Sequence, residues 1–525
     1  MRFTQYRLIF LVSLFFVLFY NFSFFQNVLK VYPWEEKSIY VASTALFLLS
    51  FFVLFFTILS SRWTTKPILI LTLIVSSFTA YFMDTYHVVI DEGMIRNTLQ
   101  TDVSEAGDLF SFEMILYGVF LGFIPAWLVY KVKIEYKTFT KEIISKLKVI
   151  ALSVIVILVI LFSFSKFYTS FFREHKPLRY YTNPTYWIYS IGKYVERTYF
   201  DKPLKMKQIG LDAKIEDSQK RIVFMIVGEA ARADRFSLNG YERETNPLLK
   251  QEDIINFSNM YSCGTSTAHS VPCMFSIYDR DEYNYKKGIS TENVVDVLKH
   301  TKDVAILWRD NNSDSKGVAL RVPYENFKRS NKYIKCDGEC RDEQMLVGLD
   351  EFIKNAKEKN IFIILHQMGN HGPAYYRRYP KEFEKFKPVC KTNQLEQCKK
   401  EEVSNAYDNA ILYTDYFLAK VIDFLKKYDD DYETAMIYMS DHGESLGEGG
   451  IYLHGLPYFM APANQKHIAS IMWFGKNFKV DKEKLKSYSN EKFSQDNLFS
   501  TILGLFDVKT NVYDKDKDIL KKAKK

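Results

Sequence analysis

Apolar residues are arranged in two ways along the chain: long unbroken stretches in the first third, then short runs separated by polar, helix-periodic segments. Five long stretches precede residue 170: Leu8–Val28, Tyr40–Ser60, Pro67–Met83, Phe112–Tyr130 and Val149–Phe167. Each is long enough, or nearly so, to cross a hydrocarbon core about 30 Å thick at about 1.5 Å per residue. The first has too long an apolar run for a signal peptide and no small-residue cleavage site, and four more follow it. It therefore predicts an uncleaved helix.

Loop charge orients the spans. Lys131–Lys148 holds six Lys, whereas Asp84–Ser111 holds a single basic residue, Arg96. The Lys-rich loop is expected on the cytoplasmic side, with the N-terminus (Arg2, Arg7) and the short loop carrying Arg62 and Lys66. Five crossings then put everything after Phe167 outside. Residues 1–170 are read as a membrane domain and 171–215 as an aromatic connector with Tyr180, Tyr181, Tyr186, Trp187, Tyr189, Tyr194 and Tyr199. Such rings suit a headgroup layer, or equally packing against the globular domain.

From Arg221 the texture changes. The runs Arg221–Val227, Val304–Trp308, Ile361–Leu365 and Thr434–Met439 read as strands buried on both faces. Helical patterns over Thr291–His300, Arg341–Ala356 and Val403–Lys427 lie between them. Strand and helix alternating over this length predict an α/β domain with a mainly parallel sheet, spanning 216–525. No internal repeat is found, and the charged tail Asp514–Lys525 reads as solvated.

Composition narrows the partners. The 525 residues include 70 Lys and Arg and 62 Asp and Glu, a net charge of +8, with 47% hydrophobic residues. Residues 1–200 carry 19 basic and 13 acidic side chains, and 201–525 carry 51 and 49. A nucleic-acid-binding domain needs a concentrated basic surface, which the near balance after residue 200 does not offer. All six Cys fall in the part placed outside, where disulfides persist. Fifteen pairings are possible, and the spacings favour neighbours: Cys263 with Cys273, Cys336 with Cys340, Cys390 with Cys398. The competing reading is a zinc site at Cys336 and Cys340.

Metal-capable residues follow the predicted strands directly: Glu229, His366, Asp441 and His442. Open α/β sheets bind ligands at the carboxyl ends of their strands, so these side chains can converge from distant positions. Carboxylate plus imidazole suits zinc. A nucleophile is sought in Ser262–Pro272, where Gly264 permits a tight turn and hydroxyl groups crowd a helix start. Thr265, Ser266, Thr267 and Ser270 all qualify, and an ordinary helix N-cap would use the same residue types.

Five ordered blocks carry a resemblance: Gly228–Asp234, Cys263–Ala268, Arg309–Lys316, His366–Pro373 and Ser440–Gly447. They are similar to the bacterial phosphoethanolamine transferases, which modify lipid A and include the mobile colistin-resistance enzymes. The resemblance covers essentially the whole chain and implies a five-helix membrane domain plus an alkaline-phosphatase or sulfatase-like α/β catalytic domain. It implies Thr267 as the nucleophile, and Glu229, Thr267, Asp441 and His442 as ligands of one tight Zn2+, with a second ion possible. His371 and His454 match positions around the substrate phosphate or that second zinc, with His366 beside them. Asn312 and Lys316 match polar residues lining the pocket. Asn97, Thr101 and Glu105 recur every four residues on one helix face and match positions that hold the phosphatidylethanolamine headgroup. His269 departs from the family block and is expected as a surface histidine.

The implied reaction has two halves. Thr267 attacks the phosphorus of phosphatidylethanolamine and releases diacylglycerol, and a lipid A or lipooligosaccharide group then takes the phosphoethanolamine. His371, His454 and Lys316 are the expected catalytic helpers. A monomer in the bacterial inner membrane, with its catalytic domain in the periplasm, is expected. Competing readings are a sulfatase or phosphodiesterase of the same fold, a phosphoglycerol transferase, and a non-catalytic membrane receptor.

Overall fold

The computed structural model describes residues 2–100, 107, 109–200, 205–329, 336 and 340–524. Two compact units emerge: residues 1–95 with 110–199, and residues 96–109 with 200–525. Residues 171–199 of the expected connector thus belong to the first unit.

In the first unit four helices are long and apolar enough to cross a membrane: Trp34–Leu59, Thr65–Tyr86, Phe112–Lys131 and Phe139–Ser163. The first expected span is not one helix. It is Gln5–Phe19 and Phe22–Val31, bent by 56°, so the described spans number four, or five if the bent pair crosses as one. Asn21 sits at the bend. Its side-chain amide donates to the Phe16 carbonyl at 2.9 Å and the Asn183 carbonyl at 2.7 Å, and its oxygen accepts the Asn183 backbone N–H at 3.0 Å. Asn183 in turn donates to the Ser76 carbonyl and Thr79, and the Trp187 indole donates to Ser76. In an apolar bundle such groups need partners inside the protein, and this network supplies most of them. Part of the aromatic run is therefore packed among the spans, with Tyr181 and Trp187 buried.

The last span starts earlier than expected and ends at Phe164, whose backbone (φ −118°, ψ 34°) leaves the helix. Its first turns carry Lys141, Lys146 and Lys148, which hide the helix from a hydropathy reading. The three basic segments meet at one end of the bundle. Residues Arg2–Thr4 pair in parallel with Lys133–Glu135, Lys66 donates to the Tyr130 carbonyl, and Lys146 donates to the Ser60 carbonyl.

The second unit is built on seven strands: β1 Arg221–Gly228, β2 Ile254–Asn256, β3 Val304–Asp310, β4 Tyr324–Asn326, β5 Asn360–His366, β6 Glu433–Ser440 and β7 Ser470–Phe474. They lie in the order β2-β7-β6-β1-β5-β3-β4. The four strands legible in the sequence are the adjacent parallel set β6-β1-β5-β3. At the edges β4 extends the parallel set, while β7 and β2 are antiparallel. Val223, Met225, Val227, Trp308, Ile364 and Met439 alternate onto one face, beneath helices Thr267–Met274, Val294–His300 and Leu498–Leu505. Helix Lys400–Lys426 covers the other face, where Phe424 meets Phe224.

The sequence reading needs correction at three places in this unit. Helix Val294–His300 starts three residues late because Asn293 caps it in a box with Asp296. The segment Arg341–Ala356 is broken at Gly348 (φ 78°) into a 3-10 turn and helix Leu349–Asn355. The charged tail is not solvated throughout, since Ile519, Leu520 and Ala523 are buried in the core. The three disulfides pair neighbours as the spacing suggested, so the sulfurs of Cys336 and Cys340 hold each other rather than a metal.

Candidate active site

Strands β1 and β6 end in register, Gly228 opposite Ser440, so Glu229 and Asp441 leave the sheet side by side. Gly228 has no room for a side chain: a Cβ there would lie 2.6 Å from the Tyr438 ring. Asp441 Oδ1 accepts the backbone N–H of Ala230 at 3.1 Å and of His442 at 2.7 Å. Ala230 adopts φ 53°, a left-handed conformation unusual for a residue with a side chain and typical of functional turns.

Burial pushes the His442 imidazole down to about 4, so the ring is neutral. Its Nδ1 meets the Gly443 carbonyl at 2.8 Å, which assigns the proton there and turns the Nε2 lone pair inward. That Nε2 lies 3.4 Å from Glu229 Oε1, 3.4 Å from Asp441 Oδ2 and 3.3 Å from Thr267 Oγ1. Thr267 Oγ1 donates to Glu229 Oε2 at 3.1 Å. Glu229, Asp441 and His442 have no solvent exposure.

Thr267 opens the helix Thr267–Met274, and Ser266 before it is extended. The Cys263–Cys273 disulfide spans this helix, and Thr265 fastens its entrance by donating to the Leu456 carbonyl at 2.6 Å. Of the four hydroxyl candidates, Thr265 is thus engaged elsewhere. Ser270 Oγ has no hydrogen-bond partner among the described residues, and Thr267 is the one that touches the carboxylate and the imidazole.

The donor set suits a metal ion. Glu229, Asp441 and His442 each offer a ligand atom within 4.8 Å of the others, and Asp441 Oδ2 accepts no hydrogen bond among the described residues. Two buried ionised carboxylates beside a neutral imidazole are stabilised by a cation near them. Cys263, His269 and Cys273 also lie close together, but both sulfurs are consumed in the disulfide.

The other expected residues fall at different distances from this centre. The His454 ring lies 4.2 Å from the His442 ring and 6.1 Å from that of His371, with His454 Nδ1 held by Glu444 at 3.2 Å. Burial holds His371 neutral, well below the usual histidine range, and raises the Glu444 carboxyl. Lys316 Nζ donates to the carbonyls of Ser313 at 2.6 Å and Gln100 at 3.2 Å. Asn312 is buried with its amide on Glu229 Oε2 at 2.9 Å. His366 is fully buried on Asp310 at 2.9 Å. His269 is not a surface histidine. It packs edge-on against Tyr283, and burial pushes it down to about 4. Asn97 lies in helix Glu92–Gln100, whereas Thr101 and Glu105 lie outside the described residues. Glu444 and Asp310 were not singled out from the sequence, although each sits at a strand end or just past one, inside a quoted block.

Residues 221–508 match the family described as Sulfatase, and residues 48–199 match the family described as Phosphoethanolamine transferase EptA/EptB. Phosphatidylethanolamine transferase Mcr-2 from Escherichia coli is 42% identical, over 95% of this chain and 94% of its own length. The chain belongs to the phosphoethanolamine transferase family. Another member, Phosphoethanolamine transferase EptA from Escherichia coli K12, is 38% identical over 96% of this chain and 94% of its own. Among solved members, the integral membrane lipooligosaccharide phosphoethanolamine transferase A of Neisseria meningitidis superposes with a TM-score of 0.94 at 35% identity. That match covers 99% of both chains. The periplasmic domain of phosphoethanolamine transferase EptC from Campylobacter jejuni is 44% identical, with a TM-score of 0.54, over 60% of this chain and 97% of its own. This phosphoethanolamine transferase therefore has the membrane-plus-catalytic architecture of its family, with a sulfatase-type catalytic domain.

Proposed function

We propose that the chain transfers phosphoethanolamine from phosphatidylethanolamine to a lipid A or lipooligosaccharide acceptor, with Thr267 carrying the group between the two halves of the reaction. The observation that carries this reading is the Thr267 hydroxyl, 3.1 Å from Glu229 and 3.3 Å from the neutral His442. Glu229, Thr267, Asp441 and His442 would hold zinc. A zinc ion there lowers the pKa of a nearby hydroxyl and offsets charge that develops on phosphoryl oxygens.

In the first half the Thr267 oxygen forms a bond to phosphorus while the bond to the diacylglycerol oxygen breaks. The hydroxyl proton passes by way of Glu229 or the His454 and His371 pair to that leaving oxygen, giving diacylglycerol. In the second half an acceptor oxygen attacks the same phosphorus and Thr267 leaves, regaining its proton. Glu444 orients His454, and Lys316 stands as a cation for the transferring phosphoryl group. Asn97, Thr101 and Glu105 are proposed to receive the ethanolamine headgroup.

The Lys-rich end of the bundle supports a cytoplasmic placement of that end, hence an inner-membrane protein with its catalytic domain in the periplasm. Adding a positively charged group to an anionic lipid would lower attraction of polymyxins and other cationic peptides. Mass spectrometry of lipid A and core oligosaccharide from cells with and without the chain tests the assignment. One phosphoethanolamine is expected on either, absent with Thr267→Ala. Unmodified lipid A and core would refute it, and a glycerol-phosphate adduct would replace the donor.

A further inference from the structure

We propose that Asp310 is a positioning residue for the metal-binding carboxylate Glu229 and that it acts through Asn312. Asp310 ends β3 with no solvent exposure. Its Oδ2 accepts the Trp308 indole N–H at 2.9 Å and faces His366 Nδ1 at 2.9 Å, across the register that pairs Asp310 with His366. Its Oδ1 accepts the backbone N–H groups of Asn312 at 2.9 Å and Asp314 at 3.2 Å. The first pair of bonds fixes the carboxylate to the sheet. The second folds residues 310–314 into a turn of the kind that aspartate favours.

That turn aims Asn312. The Asn312 amide nitrogen donates to Glu229 Oε2 and to the Gln367 carbonyl, both at 2.9 Å, while its oxygen accepts the Ser313 N–H at 2.6 Å. With both ends of the carboxamide engaged, its orientation is set, nitrogen toward Glu229. Glu229 Oε2 is thereby held by Asn312 and Thr267, and Oε1 is left toward His442 Nε2. Groups that orient a ligating carboxylate without touching the ion commonly change metal affinity or activity by about 10–100-fold when removed. The hydrogen bonds of Asp310 reach Glu229 through Asn312, so its influence on Glu229 should vanish when Asn312 is gone.

This assignment rests on the reading of Glu229 as a zinc ligand. Its test is zinc affinity, measured on the full chain in detergent by competition with a chelator of known strength. Asn312→Ala and Asp310→Ala are each expected to weaken zinc binding by about 10–100-fold. Asp310→Ser is made alongside, so that a folding failure of the alanine variant does not stop the comparison. On the Asn312→Ala background the Asp310 substitution should add less than about threefold. Asp310→Asn, which keeps an oxygen for the two turn amides, should bind zinc closer to wild type than Asp310→Ala does. Wild-type affinity in both Asp310→Ala and Asp310→Ser, or an undiminished loss on the Asn312→Ala background, overturns the role of Asp310. Glu229→Gln separates the two levels. If it binds zinc like wild type, the ligand reading falls and the assignment with it. If it loses zinc while the Asp310 and Asn312 variants do not, only the assignment falls.

Discussion

Strands β1 and β6 run side by side, and their two ends carry charge in opposite ways. At the starting end Arg221 donates to Glu433 at 3.0 Å, and its guanidinium also meets Asp217 and Asp507 at 2.8 Å each. At the finishing end the same two strands lead into Glu229 and Asp441, which converge on the neutral imidazole of His442. An acid held by a guanidinium has its counter-charge within the chain. Two acids held against an imidazole invite a cation from outside. The sheet therefore separates a structural end from a chemical end, as parallel sheets do when ligands gather at the strand carboxyl termini.

The largest test of this contrast is at the chemical end. Thr267→Ala should reduce phosphoethanolamine transfer by about 10³-fold or more while leaving a folded chain. Labelled phosphatidylethanolamine in lipid nanodiscs would report it, and near-normal transfer would remove Thr267 from the reaction. At the structural end Arg221→Ala strands Glu433, which is 5% exposed, and should cost about 3–5 kcal/mol of stability. Denaturant unfolding measures that loss, and zinc bound per folded molecule should stay constant. A changed zinc affinity would show that the two ends are not independent.

A smaller effect is expected from the link that braces the helix opened by Thr267. Replacing Cys263 and Cys273 by Ser opens a closure of sequence separation 10 and should cost roughly 2–3 kcal/mol. Thermal unfolding with and without reductant would detect it, and an unchanged midpoint would count against a stabilising role.

The smallest effect concerns the half-buried imidazole of His269, two residues beyond Thr267. His269 is held at about 4 in the folded chain, mainly by burial and further by Arg96 and Arg280, against an ordinary value of 6.5. The folded state resists a proton that the unfolded state accepts. Stability is thus whole above pH 6.5 and declines as pH falls toward 4, by at most about 2 kcal/mol at pH 5. His269→Gln should flatten this acid limb, and an unchanged slope between pH 7 and pH 5 would assign the loss elsewhere.

The central strands are legible because continuous apolar runs of five or six residues, buried on both faces, leave a local signature. Strands β2, β4 and β7 are shorter or lie at the edge, and each carries at least one polar residue, so nothing local marks them. The bend at Asn21 was invisible because one polar residue barely alters the hydropathy of a long window, although its partner Asn183 makes it a fixed joint. The contact of Asn312 with Glu229 is not legible in the sequence, since residue type does not reveal which carboxylate an amide will meet. His269 was misjudged for the same reason: burial depends on Tyr283 and the packing around it, not on its neighbours in sequence.

By itself, then, the sequence determined the apolar spans, the α/β character of the second unit, the neighbouring cysteine pairs and the metal-capable residues at strand ends. These follow from patterns within a few residues, where hydrophobic period and spacing act. Only the tertiary structure decided which of those residues meet. Ala230 donates to the Asp441 carboxylate across 211 positions of sequence because β1 and β6 are adjacent and in register. Thr267 joins them because a disulfide-braced helix lies over that face of the sheet. Proximity of that kind is set by strand order and register, which no local pattern encodes.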